Sequence, residues 1–234
     1  MAARYQLYYW PIPFRGHFIR YVLAYAGQQW EEPGFDAVAE LKDRGAADQP
    51  HPFMAPPLLL DTLTGTQLSQ MPAILMSLGR GHGLLMEPDQ TLRLICDASD
   101  ILFEITRYHG ALMWDAASWA DFHGSRLPRW MQIHERIAIE AGVTAEQGFM
   151  RGRDHPGLAD LVLGALWHTM IDRLPPLRPL LHANGPVLEG LADRIAAEPP
   201  IAALIADWAG RQPVYCAGRI EASLLNMLNM ETDT

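Results

Sequence analysis

The pattern of hydrophobic residues changes once along this 234-residue chain, within a stretch rich in glycine and proline at residues 79–89. Before it, short apolar runs alternate with helical spacings and predict the element order β-α-β-α-β-β-α. After it, the spacing is helical throughout. The sequence therefore predicts an α/β part over residues 1–80, a linker over 81–89 and an all-helical part over 90–234.

The helical part carries three signals. Residues 158–172 are nearly all apolar, which predicts a central, buried helix. Residues 122–141 predict another helix, in which Pro128 causes a kink or marks an early turn. The first long helix has a stripe with the spacing i, i+3, i+4 and i+7, which predicts its buried face. That stripe consists of Leu92, Ile95, Cys96, Ser99, Leu102, Phe103 and Thr106.

The composition limits the possible partners. With 49% hydrophobic and 19% charged residues, the chain can bury a core. Its formal net charge of -9 repels phosphate backbones and anionic lipids, so we expect neither nucleic acid nor a membrane as a partner. There is no apolar run of about 18 residues and no visible signal peptide, which together predict a cytoplasmic protein.

Metal and thiol chemistry find little support. Cys96 and Cys216 are predicted to be buried free thiols rather than a disulfide or a metal pair. The nine histidines form no His-x-x-x-His pattern, so no metal site is predicted. No cysteine stands between positions 9 and 13, which argues against thiol–disulfide exchange.

Three short motifs follow one another in the first part of the chain. The first is Tyr9-Trp10-x-Ile12, continued by His17-x-Ile19-Arg20. The second is Pro57-x-Leu59-x-Asp61, and the third is Leu68-x-Gln70-x-x-Ala73-Ile74-Leu75. In this order, and with a helical part behind them, they resemble the Tyr-type cytosolic glutathione transferases, whose mu-type members begin in the same way.

This resemblance implies a thioredoxin-like N-terminal domain that binds glutathione and an all-helical domain that binds the acceptor. It implies a homodimer that uses glutathione as co-substrate and needs no cofactor. The implied reaction joins the glutathione sulfur to an electrophilic, apolar small molecule. Two alternatives use the same fold: a non-catalytic ligand-binding or interaction protein, and a glutathione-dependent peroxidase.

The implied catalytic residue is Tyr9. A free thiol has a pKa of about 8.5, so only a few per cent is thiolate at neutral pH. A hydroxyl that donates a hydrogen bond to the sulfur favours the thiolate. In the Tyr-type transferases this is a tyrosine at the end of the first strand, the place that Tyr9 holds. Tyr8 is the alternative, because strand residues alternate between faces, and both tyrosines could instead serve packing.

The implied glutathione site depends on two residues that depart from the family. Pro57 matches the cis-proline, but Pro56 before it has no N–H to offer a peptide. Met71 stands where the family has a serine hydroxyl. One lost hydrogen bond to a charged group weakens binding roughly ten- to a hundredfold. The full implied set is Trp10, Lys42, Pro56, Pro57, Gln70, Met71 and Asp100, with Lys42 alternatively a solvated surface lysine.

Acceptor contacts are predicted near the end of the first long helix. The predicted lining consists of Ile12, Arg107, Tyr108, Met113 and Trp114, of which the last four could equally serve packing. The Arg15-Gly16 pair lies two residues later than the family's Arg-Gly pair, so the loop after the first strand differs. The acceptor preference therefore cannot be carried over.

Two further predictions concern carboxylates. Asp97, Asp100 and Glu104 share a helix face. The resemblance implies that Asp100 reaches the glutathione of the neighbouring subunit, and a solvated acidic face is the alternative. At the start of the apolar helix, Gly157 and Asp160 predict a cap in which the carboxylate bonds the Gly157 N–H.

Overall fold

A four-stranded mixed sheet forms the first part of the chain. The computed structural model describes residues 3–229. The strands are β1 (Tyr5–Tyr8), β2 (Trp30–Glu31), β3 (Leu58–Asp61) and β4 (Thr66–Ser69). They lie in the order β2-β1-β3-β4, with β1 parallel to β2 and antiparallel to β3. Leu7 of β1 lies opposite Leu59 of β3, and both side chains are buried.

Helices make up most of the remaining structure. Those of the first part are α1 (Phe14–Tyr25), α2 (Phe35–Asp43) and α3 (Met71–Gly81). Those that follow are α4 (Pro88–Ile105), α5 (Arg107–Gly110), α6 (Ala116–Asp121), α7 (Leu127–Glu140), α8 (Leu158–Arg173), α9 (Arg178–Asn184), α10 (Pro186–Ala197), α11 (Pro199–Trp208) and α12 (Gly218–Met227). The predicted fold class, an α/β part followed by a helical part, is confirmed. The exact domain limits stay a prediction.

The buried helix predicted over residues 158–172 is α8. Its cap forms as predicted: Asp160 Oδ2 accepts the Gly157 N–H at 2.8 Å. Asp160 Oδ1 also accepts the Met150 N–H at 2.8 Å, so the same carboxylate anchors the preceding loop. Gly164 lets α10 approach closely, because a Cβ there would overlap the side chain of Ile195.

The predicted buried face of α4 is wrong, because the whole face is displaced by one residue: each buried position lies one residue before the predicted one. The buried positions are Thr91, Leu94, Ile95, Ala98, Ile101, Leu102 and Ile105. Phe103 is 38% exposed and Cys96 is exposed, so the prediction of a buried Cys96 thiol is also wrong. Cys216 is half-buried, and both thiols are free. The two stripes contain similar numbers of apolar residues, so the spacing fixes the helix but not its rotation.

Pro128 lies inside a longer helical segment. A π-helical turn at Phe122–Arg126 joins α6 to α7 without a break in the helical backbone, and Pro128 follows it as the second residue of α7. The missing N–H of Pro128 therefore coincides with a local irregularity of the helix, as is usual for a proline within a helix. None of the helices between residues 3 and 229 combines the length and hydrophobicity needed to cross a bilayer.

Candidate functional site

A cleft of about 720 Å³ opens where the sheet part meets the helical part. One wall comes from the end of β1, the loop before β3 and the start of α3. The opposite wall comes from α4, the turn after it and α12. The lining residues are Tyr9, Trp10, Ile12, Phe14, Arg15, Lys42, Ala55, Pro56, Pro57, Gln70, Met71, Pro72, Ser99, Asp100, Phe103, Thr106, His109, Cys216 and Ile220.

Only one of the two candidate tyrosines reaches this cleft. Tyr9 continues the buried alternation of Tyr5 and Leu7 directly after β1 and is 3% exposed. Tyr8 lies on the other face of the strand, where its hydroxyl donates to Gln6 Oε1 at 3.3 Å. Strand alternation therefore places Tyr9, and not Tyr8, in the cleft wall.

The Tyr9 hydroxyl has a defined hydrogen-bonding role. Its oxygen accepts the backbone N–H of Arg15 at 3.2 Å. Burial raises the pKa of Tyr9, and the charge of Arg15 only partly opposes this shift. The phenol therefore stays protonated at neutral pH, and its own hydrogen is available to donate into the cleft.

Arg15 brings positive charge to the same wall. Its Nη1 donates to Ser99 Oγ at 3.2 Å and its Nη2 to the Ser99 carbonyl at 3.3 Å. Both partners are neutral, and the guanidinium charge acts in the cleft together with the negative charge of Asp100, which also lines it. Sequence reasoning noted Arg15 only as part of a displaced pair. The structure places it in the first turn of α1, next to Tyr9.

Gly16 and Arg20 hold the Tyr9 segment in place. A Cβ on Gly16 would lie 2.5 Å from Tyr9 Cδ1 and 2.5 Å from Arg20 Nη1, so only glycine fits between them. The fully buried Arg20 donates to the Ile12 carbonyl at 2.8 Å and pairs with Glu32 at 2.7 Å. The motif that ends in Arg20 therefore fixes the loop that follows Tyr9.

The peptide-binding side has the predicted backbone. The Pro56–Pro57 bond is cis, and α3 begins at the cleft with Met71. Gln70, directly before it, has φ +72°, a left-handed conformation that is costly for a residue with a side chain. The Met71 side chain is 1% exposed and packs in the core, so this position contributes only backbone to the cleft.

The remaining predicted glutathione contacts lie at the rim. The Trp10 ring packs on Phe35 with centroids 5.2 Å apart. Lys42 forms an ion pair with Asp43. Asp100 is exposed and lines the cleft of its own chain, whereas the resemblance assigns it to the neighbouring subunit. The contact across a dimer stays a prediction.

The other two carboxylates on this helix have different partners. Glu104 pairs with Arg126 at 2.5 Å. Asp97 lies 3.5 Å from His134 Nε2 in the interior of the helical part. The shared acidic face predicted from their spacing therefore divides into three separate environments.

The residues predicted to contact the acceptor lie in different places, and their role stays a prediction. Ile12 lines the cleft, but Arg107, Tyr108 and Trp114 line a separate hollow of about 120 Å³, and Met113 lines neither. The reason is backbone handedness. Residues 107–110 all have positive φ, which makes α5 a left-handed turn. Because of this turn, His109 lines the cleft, whereas Arg107 and Tyr108 line the separate hollow.

A family model decides the identity of the chain. Residues 90–227 match the model described as "Glutathione S-transferase, C-terminal domain". The chain belongs to the glutathione S-transferase family. No curated protein matches the chain in sequence. The family's co-substrate is glutathione, and the cleft is lined by the residues whose motifs resemble those of its glutathione site.

Solved structures agree with this fold. A Pi-class glutathione S-transferase of Onchocerca volvulus is 21% identical, with a TM-score of 0.67 over 88% of this chain and 93% of that one. A protein named NaGST-2 is 22% identical, with a TM-score of 0.65 over 90% and 98%. Prostaglandin synthase D of Nilaparvata lugens is 18% identical, with a TM-score of 0.62 over 89% and 98%. At these identities the likeness concerns the fold alone.

No pattern in the sequence indicated that several residues line the cleft. Phe103, His109, Cys216 and Ile220 come from α4, its left-handed turn and the region of α12. Burial and the charge of Arg15 lower the pKa of His109, so its imidazole is neutral at pH 7. No motif marked these positions as cleft residues. The left-handed turn places His109, and the loop before α12 together with α12 itself, which contacts α5, brings Cys216 and Ile220 to the cleft. Among residues 3–229 no three His, Cys, Asp or Glu side chains gather to hold a metal ion.

Proposed function

We propose that this protein is a glutathione transferase that joins the thiolate of reduced glutathione to an electrophilic, mostly apolar small molecule. The observation that carries the proposal is the hydroxyl of Tyr9. Its oxygen accepts the Arg15 N–H, and its hydrogen has no acceptor among residues 3–229, so it can donate to a sulfur in the cleft.

The chemistry follows from the charges in the cleft wall. A hydrogen bond from a neutral phenol and a nearby guanidinium both favour thiolate over thiol, so the sulfur pKa falls. The thiol proton leaves to water. The thiolate then attacks an electrophilic carbon and forms a C–S bond, while the displaced group departs with the electron pair. Tyr9 acts as a donor throughout, since its raised pKa makes it unsuited to act as a base.

The peptide would be held by backbone and charge. The start of α3 presents N–H groups and the positive end of a helix dipole to the γ-glutamyl carboxylate. Gln70 is fixed beside it by its left-handed conformation, and Lys42 can approach the glycyl carboxylate at the rim. The core-facing Met71 and the N–H-free Pro56 remove two contacts, so we expect glutathione affinity at the weak end of the family range.

The test compares the two neighbouring tyrosines. Calorimetry with reduced glutathione measures binding, and the ultraviolet absorbance of the thiolate against pH measures the sulfur pKa. With Tyr9→Phe we expect binding to persist, the thiolate to appear only at higher pH, and turnover of an electrophilic acceptor to fall about tenfold or more. The matched control Tyr8→Phe, on the opposite strand face, should leave the pKa of the sulfur and the turnover unchanged. Equal behaviour of the two variants would contradict the role of Tyr9.

A second function is favoured by a specific observation. Met71 and Pro56 both lack the group that a bound peptide would use. If glutathione fails to bind up to several millimolar, a ligand carrier or interaction protein on this fold becomes the better proposal. In that case Tyr9→Phe would leave ligand binding unchanged.

We also propose a cytoplasmic homodimer with a role in detoxification, in line with the family. The exposed carboxylate of Asp100 is accessible to a neighbouring subunit, which is compatible with this assembly. Light scattering on the purified chain measures its mass directly. A monomer at micromolar concentration would refute the dimer.

A further inference from the structure

A buried cluster of charged and aromatic side chains lies where α1 packs against α11. His17 and Arg20 come from α1, and Trp208 comes from the end of α11. All three side chains are buried. The guanidinium carbon of Arg20 lies 4.2 Å from the centre of the Trp208 ring, and the His17 ring meets the same ring edge-on with 4.9 Å between centres. These three residues, the His17 cluster, therefore join the sheet part to the helical part.

The geometry of the cluster fixes the protonation state of His17. Its Nδ1 lies 3.2 Å from Nη1 of Arg20. A guanidinium can only donate hydrogen bonds, so Nδ1 accepts this bond and carries no proton. A proton on Nδ1 would set one N–H against another and place two positive charges side by side in the interior. The closed cluster therefore requires a neutral imidazole.

The carboxylates next to the cluster already have partners. They form three ion pairs with the neighbouring arginines: Arg20–Glu32 at 2.7 Å, Arg173–Asp172 at 3.2 Å and Arg211–Asp207. Within residues 3–229, His17 forms no ion pair, and His168, which also faces it, would add positive charge if protonated. Burial, and then the charges of Arg20 and Arg173, hold the pKa of His17 well below its usual value. A protonated His17 would be an unbalanced buried charge, which is costly.

Arg20 also supports the segment that follows Tyr9. Its Nη1, the atom that binds His17, donates to the Ile12 carbonyl at 2.8 Å, and its Nη2 donates to the Trp10 carbonyl at 3.4 Å. Its guanidinium carbon lies 5.9 Å from the centre of the Tyr9 ring. One side chain thus holds both the contact with α11 and the backbone beside the cleft. A change at His17 reaches both places through Arg20.

We propose that the His17 cluster is an acid-sensitive latch between the two parts of the chain. Protonation of His17 at Nδ1 removes an acceptor from Arg20 and adds a charge that the closed cluster cannot hold, so Arg20 leaves its place. The end of α11 then separates from α1, and the segment after Tyr9 loses its support. Acid therefore opens the cleft wall and the contact between the two parts together.

The pH window follows from the difference between the closed and opened forms. An exposed histidine has a pKa of about 6.5, whereas the closed cluster holds His17 neutral. The closed form is therefore fully favoured above about pH 6.5. Each pH unit below this value raises the ratio of opened to closed form about tenfold, until the pKa of the closed form is reached.

Amide hydrogen exchange on the whole protein, between pH 7.5 and 5.0, measures the opening. The exchange rate of each segment is compared with that of an unstructured peptide at the same pH, which gives its protection. We expect the protection of residues 10–15 and of residues 205–211 to fall together, by about thirtyfold over this range. The two segments are distant in the sequence, so a common pH dependence reports their coupling through the cluster.

Two variants assign the effect to His17. His17→Gln supplies an amide oxygen that can accept from Arg20 and takes up no proton in this range. Both segments of this variant should keep at pH 5.0 the protection that they have at pH 7.5. The matched control His134→Gln removes another fully buried histidine, in α7, and should leave the acid opening of both segments unchanged. Thermal unfolding at pH 7.5 checks that each variant folds.

A measurement on the wild-type chain tests the latch even if His17→Gln does not fold. Long-range ¹H–¹⁵N spectra show which ring nitrogen carries the proton, and we expect it on Nε2 of His17 at pH 7. Three results would overturn the latch: a protonated Nδ1 at pH 7, unchanged protection of residues 10–15 down to pH 5.0, and an acid opening that persists in a folded His17→Gln variant. None of these results depends on whether the protein conjugates glutathione.

Discussion

We expect Glu221 to stabilise both the fold and the wall of the cleft. Its carboxylate is 7% exposed and accepts four successive backbone N–H groups of the loop before α12. Oε2 accepts from Tyr215 at 2.7 Å, Cys216 at 2.6 Å and Ala217 at 2.9 Å, and Oε1 accepts from Val214 at 3.0 Å. The loop so held carries Cys216 into the cleft wall.

Glu221→Gln keeps the shape and removes the charge. The amide oxygen can replace one carboxylate oxygen, but the amide NH₂ then faces a backbone donor. Charged hydrogen bonds contribute about 1.5–3 kcal/mol and neutral ones about 0.5–1.5. Three hydrogen bonds lose their charge and a fourth is broken, which destabilises the protein. Part of this loss is offset because the variant no longer buries a carboxylate. The free energy of unfolding should therefore fall by roughly 2–4 kcal/mol.

Denaturant and thermal unfolding measure this loss. For a chain of this size it corresponds to a fall in Tm of roughly 5–15 °C. Two matched controls scale the effect. Glu135→Gln removes the charge from a carboxylate that, within residues 3–229, accepts two backbone N–H groups, those of Val187 and Leu188, and should cost about half as much. Glu31→Gln changes an exposed residue and should cost close to nothing. If Glu221→Gln costs no more than Glu31→Gln, the four bonds contribute no net stability and the reasoning fails.

The same structure supports further predictions. Gly16→Ala should displace the Tyr9 ring, cost about 1–3 kcal/mol of stability and lower turnover about as much as Tyr9→Phe, whereas Gly124→Ala, into open space, should do neither. Turnover within twofold of wild type in Gly16→Ala would show that the ring tolerates the methyl group. If Asp100 acts across a dimer, mixing Tyr9→Phe with Asp100→Asn subunits should restore activity at one intact site per mixed dimer. Activity that never exceeds the average of the two variants would place the Asp100 contact within its own chain.

The sequence determined the elements that depend on local patterns. The order β-α-β-α-β-β-α, the capped helix α8 and the irregular helical turn before Pro128 all depend on neighbouring residues, whose periodicity and backbone chemistry are visible in the chain itself. The cleft residues matched by motif also came from one short region. In these elements, the conformation of a residue depends mainly on residues a few positions away in the sequence.

Tertiary structure alone decided the rest. The rotation of α4 required knowledge of which neighbours it packs against, because two stripes were nearly equally apolar. The choice of Tyr9 over Tyr8 as the cleft residue required the register of the sheet. The far wall of the cleft required the left-handed turn at residues 107–110 and the approach of α12, whose residues lie more than a hundred positions from α4. Such contacts depend on the free energy of the whole packed chain, and no local pattern encodes them.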